Sequence, residues 1–164
     1  MPADISHYRG LLEQVRTAPE GSQALDEAVH ALLLPDDLWW QAIRRGRELV
    51  EAGRADEKID ACNCNLRADS WAQGSRVAGH STSIDAAVAL VTKLLPGWKV
   101  GTAGPDPTRP GLALKAWAKV EPWLNNDDGW KIGAHEGFAA TVPLAILAAL
   151  LTAKISMEES ADAN

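Results

Sequence analysis

Apart from tryptophan, this chain has almost no aromatic residues: one Phe and one Tyr stand against seven Trp in 164 residues. Cysteine is scarce as well. Cys62 and Cys64 are the only two, one residue apart, too close for a useful structural staple. That excludes a disulfide-framed secreted scaffold; with no secretory leader pattern at the start, a reducing cytoplasm is the expected compartment. Positive charge is in deficit. A net charge of −6 and a pI near 5.2 argue against a general nucleic-acid coat, which needs a basic field for phosphates. The deficit is uneven: residues 1–80 hold 13 acids and 9 bases, residues 81–157 hold 6 and 7, and residues 158–164 hold 3 acids.

Long hydrophobic runs are missing too. Gly137–Ala153 is apolar and uncharged but falls short of the roughly 20 residues a membrane span needs, so a buried helix is expected. Catalytic signatures are absent: there is no Gly-x-Ser-x-Gly, no Walker loop and no His-Glu-x-x-His, and His7, His30, His80 and His135 are scattered. No catalytic residue and no cofactor is nominated, and the expectation is a protein that is not an enzyme.

What is present is a series of helices with readable ends. Asp4 or Ser6 can cap a first helix with Tyr8, Leu11, Leu12 and Val15 as its stripe, stopping at Ala18-Pro19-Glu20-Gly21. Ser22 opens a second, with Leu25, Ala28, Val29 and Leu32 inward, and Pro35 ends it. Asp36 is read as the cap of a third, with Trp39, Ile43, Gly46 and Val50 aligned and Arg44, Arg45 and Arg47 outside. Gly46 weakens that helix by about 1 kcal/mol relative to Ala. Residues 54–80 are polar without a clean period and read as an irregular insertion. Ser81–Trp98 then gives the clearest helix of all. Ile84, Ala87, Val88, Val91, Leu94 and Leu95 form the stripe, Thr82 the cap and Pro96-Gly97 the stop.

Three strand-like runs follow, Trp98–Ala103, Leu112–Glu121 and Trp130–Glu136, separated by turn-rich segments. A last helix starts near Thr141, with Pro143 in its first turn and Leu144, Leu147, Ala148, Leu151 and Ile155 inward. The acidic end, 158–164, reads as a disordered tail. The fold class expected is α+β: a three-stranded antiparallel meander in α-β-β-β-α order, preceded by two or three helices. Residues 1–157 are read as one globular domain, with a helical part to 53, the 54–80 insertion and the 81–157 core.

Four pieces of this chain resemble, in order, the phage ABA sandwich domain family. They are Leu11-Leu12-Glu13-Gln14-Val15; Ala24-Leu25-Asp26-Glu27-Ala28-Val29; Thr82-Ser83-Ile84-Asp85-Ala86-Ala87 with Leu95-Pro96-Gly97-Trp98; and Gly137-Phe138-Ala139-Ala140-Thr141-Val142-Pro143-Leu144-Ala145. The likeness covers about 8–33 and 80–154; residues 35–79 do not share it. It implies a phage or prophage origin and a three-layer α/β/α sandwich, and it carries over no activity or site residue. The same element order also belongs to double-stranded-RNA-binding modules. Those need bases at the start of the last helix, and Gly137–Ala145 has none, so no duplex nucleic-acid partner is expected.

Three candidate sites follow from residue pattern. Strand parity puts Lys99, Lys115, Trp117, Lys119, Lys131 and His135 on one sheet face, where cations around an indole can hold a nucleotide-like anion; the alternative is a solvated or covered face. Trp39 and Trp40 beside Arg44, Arg45 and Arg47 form a candidate protein-interaction anchor, although adjacent helical residues cannot both centre on one face. Cys62, Cys64 and His80 are a weak zinc set, since Cys-x-Cys without a second pair is more often two ordinary thiols. The functional expectation is a phage-encoded accessory protein that binds a host or phage protein and inhibits host machinery or host defence. The alternatives are an anion-sequestering protein, a virion or assembly component, and an unrecognised enzyme.

Overall fold

The computed structural model describes residues 5–74, 77–105, 116–122 and 133–162. Their elements run α1 (Ile5–Thr17), α2 (Gln23–Leu33), α3 (Leu38–Glu51), β1 (Lys58–Ala61), β2 (Cys64–Arg67), α4 (Ala68–Gly74), α5 (Ile84–Leu94), β3 (Trp98–Pro105), β4 (Ala116–Pro122), β5 (His135–Ala139) and α6 (Val142–Asp162). The fold is α+β, with all strand pairing antiparallel. Two compact units divide the chain: Met1–Asp26 with Gly79–Asn164, and the continuous stretch Glu27–Ala78.

The discontinuous unit is built on the meander β3-β4-β5. Ala116, Ala118 and Val120 of β4 and Gly137 and Ala139 of β5 face inward and are buried under α6. The small residues there have a cause. A Cβ on Gly137 would lie 2.2 Å from both the Ala145 carbonyl oxygen and the Ala149 nitrogen, so the helix backbone rests directly on the strand. Leu144 to Leu151 are all fully buried, as a helix apolar on every side requires. α1 and α5 both pack on α6, which places all three helices on one side of the sheet. Within this unit the described elements make two layers, helices over a sheet; the third layer expected from the sequence is not among them.

Local details depart from the sequence reading in several places. The α5 cap is Ser83, whose hydroxyl accepts from the Ala86 amide, while the Thr82 hydroxyl donates to the Gly79 carbonyl. The inward stripe turns with that cap: Ala87, Leu90 and Val91 are buried, and Ile84 is 50% exposed. Asp37, not Asp36, caps α3 by accepting from the Trp40 amide. The third strand is His135–Ala139, so Gly137-Phe138-Ala139 belong to the sheet and not to the last helix. Residues 112–115 and 130–132 of the expected strands lie outside the described residues. The tail expected to be disordered is helical through Asp162, because α1 packs alongside α6 and Arg9 forms an ion pair with Glu159 at 2.7 Å.

The continuous unit replaces the expected irregular insertion with regular structure. β1 and β2 form a hairpin whose two-residue connection, Cys62-Asn63, has φ values of 53° and 63°. Positive φ at both positions defines the type I′ turn that matches strand twist. Polar and apolar residues do alternate in Lys58–Ala61 and Cys64–Arg67, but Ala61 and Cys64 are only weakly apolar and each run is four residues long, too short a signal for a period-two reading. Trp40, Ala42, Ile43, Trp71 and Val77 form the core of this unit, with Trp39, Ile59, Ala61 and Cys64 packed against it.

Candidate functional site

The α3 helix divides sharply. Its inner face holds both tryptophans: Trp40 is 6% exposed, and Trp39 meets Trp71 edge-on with ring centroids 4.8 Å apart. Of the expected Trp39–Trp40 surface anchor, Trp40 is core, and Trp39 is half-buried against Trp71 with α4 and the hairpin beside it. Arg47 is also engaged. Its guanidinium donates two hydrogen bonds to Glu27 at 2.7 Å each, the forked geometry suited to a carboxylate.

What α3 presents outward is Leu38, 63% exposed, followed by Gln41, Arg44, Arg45 and Glu48. Leu38, Gln41, Ala42 and Arg45 form one wall of a groove of about 470 Å³, and residues 59–63 of the hairpin form the other. A second hollow of about 300 Å³ shares Gln41 and Arg45 and adds Pro35, Arg44 and Glu48. Arg45 contacts Glu48 at 3.2 Å, but both side chains are about half exposed, a pair worth little in water. The groove thus has an apolar floor (Ala42, Ile59 and Ala61), Leu38 at its mouth, and a polar rim of Gln41, Asp60 and a guanidinium easily redirected to a ligand. Position-by-position reading missed it because β1 was not recognised; exposed Leu38 ahead of an Arg pair was the available signal.

The sheet-face set does not assemble as expected. β4 pairs with β5 so that Val120 lies opposite His135 and Lys119 opposite Glu136. Cross-strand partners share a face, so His135 lies on the inner side, one residue out of phase with the predicted parity. There it stacks on Trp98 with centroids 5.9 Å apart, and burial pushes its pKa down. Lys99 and Lys119 do share the outer face, yet both turn to Glu121, at 3.5 and 2.6 Å. The bond from Lys119 is the main reason the Glu121 carboxyl lies below its usual range. Gly101, the extra residue of a bulge in β3, leaves room for that carboxylate, since its Cβ would sit 2.7 Å from Glu121 Oε1. Trp117 is half-buried opposite Phe138. Lys115 and Lys131 lie outside the described residues.

A buried polar cluster ties the discontinuous unit together. The Ser81 amide donates to Asp26 Oδ1 at 2.6 Å, and the Ser81 hydroxyl accepts from the Ser22 amide at 3.0 Å and donates to its carbonyl at 3.2 Å. His80 Nδ1 lies 3.0 Å from the Ala86 carbonyl and donates to it. Burial pushes the Asp26 pKa up, against the opposing pull of the Ser81 bonds and of His80. Every contact within it joins backbone segments, so it reads as a clamp between the start of α2 and the start of α5.

The weak zinc set separates likewise. Cys62 occupies the hairpin turn and Cys64 packs on the tryptophan core, both as free thiols. His80 belongs to the clamp of the other unit. Among the described residues, no three His, Cys, Asp or Glu side chains gather to hold a metal ion. No described helix is long and apolar enough to cross a membrane. Compared with family models, with curated proteins and with solved structures, the chain finds no match in any of the three.

Proposed function

We propose that this protein works by binding a protein partner through the groove between α3 and the β1-β2 hairpin. The observation that carries the reading is Leu38, an aliphatic side chain 63% exposed at the mouth of a groove of about 470 Å³ with Arg45 on its rim. Aliphatic floor, guanidinium rim and a concave shape are what an interface core needs to desolvate one anchor residue. The reading of a phage-encoded inhibitor of host machinery or host defence rests on the family resemblance alone and is kept as the class of partner to look for first. Anion capture on the sheet face has less support, because Lys99 and Lys119 already share Glu121.

Tagged protein captures partners from host extract in parallel with a Leu38→Asp/Arg45→Glu variant. Both side chains are exposed, so the variant keeps the fold while reversing the groove's chemistry. Loss of a captured partner from the variant is expected. If every partner persists, the groove is the wrong surface.

A further inference from the structure

The hairpin edge that lines the groove is open. With a two-residue connection, Ala61 and Cys64 form the hydrogen-bonded pair next to the turn, and Ile59 and Leu66 form the next one. Lys58 and Asp60 alternate with these, so their amides and carbonyls point away from β2. No described residue bonds them. The neighbouring backbone is used differently: the Glu57 carbonyl accepts from the Ala68 amide, the Ala55 carbonyl from the Asp69 amide, and the Ile59 carbonyl also receives the Trp71 indole N–H at 3.3 Å. The unpaired edge therefore begins at Lys58 and runs to the turn, and from Ile59 onward it lines the groove opposite Leu38, Gln41 and Arg45 of α3. Edges of this kind are usually blunted or covered; this one is four residues long and carries Lys58 and Asp60, and no described element pairs with it.

We infer that the partner enters this groove as an extended peptide segment that adds to β1 as a third strand. This rests on the groove being the binding site and names what it takes. Hydrogen bonds from Lys58 and Asp60 supply sequence-independent grip, while alternate peptide side chains point into the groove. One of them meets Leu38 at the mouth and the apolar floor of Ala42 and Ile59, so it is aliphatic. The next on the same side, two residues along, reaches Arg45, with Arg44 beyond it in the adjoining hollow, so it is Asp or Glu. Asp60 lines the same groove and Glu48 lies 3.2 Å from Arg45, so an acidic peptide side chain is taken up by exchange with this half-exposed pair.

The experiment selects a random-peptide display library on the full chain, counter-selected on the Leu38→Asp/Arg45→Glu variant. Expected sequences carry an aliphatic residue and an acidic residue two positions apart. A synthetic copy of the best peptide is then N-methylated one position at a time. Affinity is expected to fall about tenfold at alternate positions only, as each lost backbone bond predicts. On the protein side, Asp60→Pro removes the outward amide at a place an edge strand tolerates, and is expected to bind about tenfold more weakly than Asp60→Ala. If Asp60→Pro fails to fold by circular dichroism, the N-methyl scan alone decides.

A groove-dependent peptide that tolerates N-methylation throughout would overturn strand addition and leave the groove reading standing. Concentration-dependent self-association that Asp60→Pro abolishes would make the occupant a second copy of this chain, and overturns the proposal equally. Recovery of no peptide that distinguishes wild type from the variant overturns both readings.

Discussion

Asp26 and Ser81 meet through a backbone amide and a carboxylate oxygen 2.6 Å apart, each residue almost closed to solvent. The contact brings together segments 55 residues distant in the chain. It holds a carboxylate where burial disfavours its charge, so it links stability to pH.

Burial raises the Asp26 pKa above the ordinary value of about 4, so in the window between the two the folded state binds more protons than the unfolded one. The contribution of Asp26 to stability therefore falls as pH rises through that window and is flat above it. Asp26→Asn keeps the acceptor for Ser81 and removes the charge. Its melting temperature relative to wild type should climb as pH rises above the ordinary carboxyl value of about 4 and level off once the raised folded-state value is passed; a constant difference would count against the assignment. Asp26→Ala strands the Ser81 amide and should cost about 1–3 kcal/mol throughout.

At Gly137 the limit is steric. A methyl group there would meet two backbone atoms of α6 at 2.2 Å, and backbone cannot rotate aside as a side chain can. Gly137→Ala is expected to lose about 3 kcal/mol or more in urea denaturation, at the upper end for overpacking. A loss under about 1 kcal/mol would mean that α6 lifts freely from the sheet.

Gly46→Ala pits two effects against each other. Helix propensity promises a gain of about 1 kcal/mol. The added Cβ, however, would sit 2.7 Å from the Ala68 carbonyl oxygen and 2.8 Å from Trp71 Cβ. Packing should win, with faster amide exchange in α3 and α4 and a net loss of about 1–3 kcal/mol. A stabilised variant would refute the tight approach of the two helices.

Cys62 holds a left-handed backbone that asparagine adopts more readily. Cys62→Asn should therefore stabilise the hairpin by about 0.5–1 kcal/mol, read as a higher denaturation midpoint. Lower stability would show that the thiol makes a contact worth more than the strain.

Helix ends and inward stripes were legible where one residue type does one job. Tyr8, Leu11, Leu12 and Val15 are the buried side of α1 as read, and Ser22 opens α2 by accepting from the Leu25 amide. The meander and its order were legible from turn residues between short runs. Register was not. The parity argument treated each strand alone, and a one-residue offset in where β5 begins sent His135 to the opposite face. The hairpin was hidden for a different reason: only Ile59, Ala61 and Cys64 pack inward, two of them weakly apolar, Leu66 is exposed, and its turn uses Cys-Asn where Asn-Gly is the usual signal. With the hairpin unseen, the groove had only one wall, and nothing showed that Trp40 lies in the core with Trp39 half-buried against it.

The interrupted unit imposes an order on synthesis. Residues 27–78 leave the ribosome as one continuous piece whose core contacts all lie within it, so they can fold early. α1 emerges ahead of that piece, yet α6, the element it packs against, is made after it. Its apolar stripe must wait, exposed, for nearly the whole chain. That makes Leu11, Leu12 and Val15 a segment of the nascent chain on which a chaperone can keep a long hold.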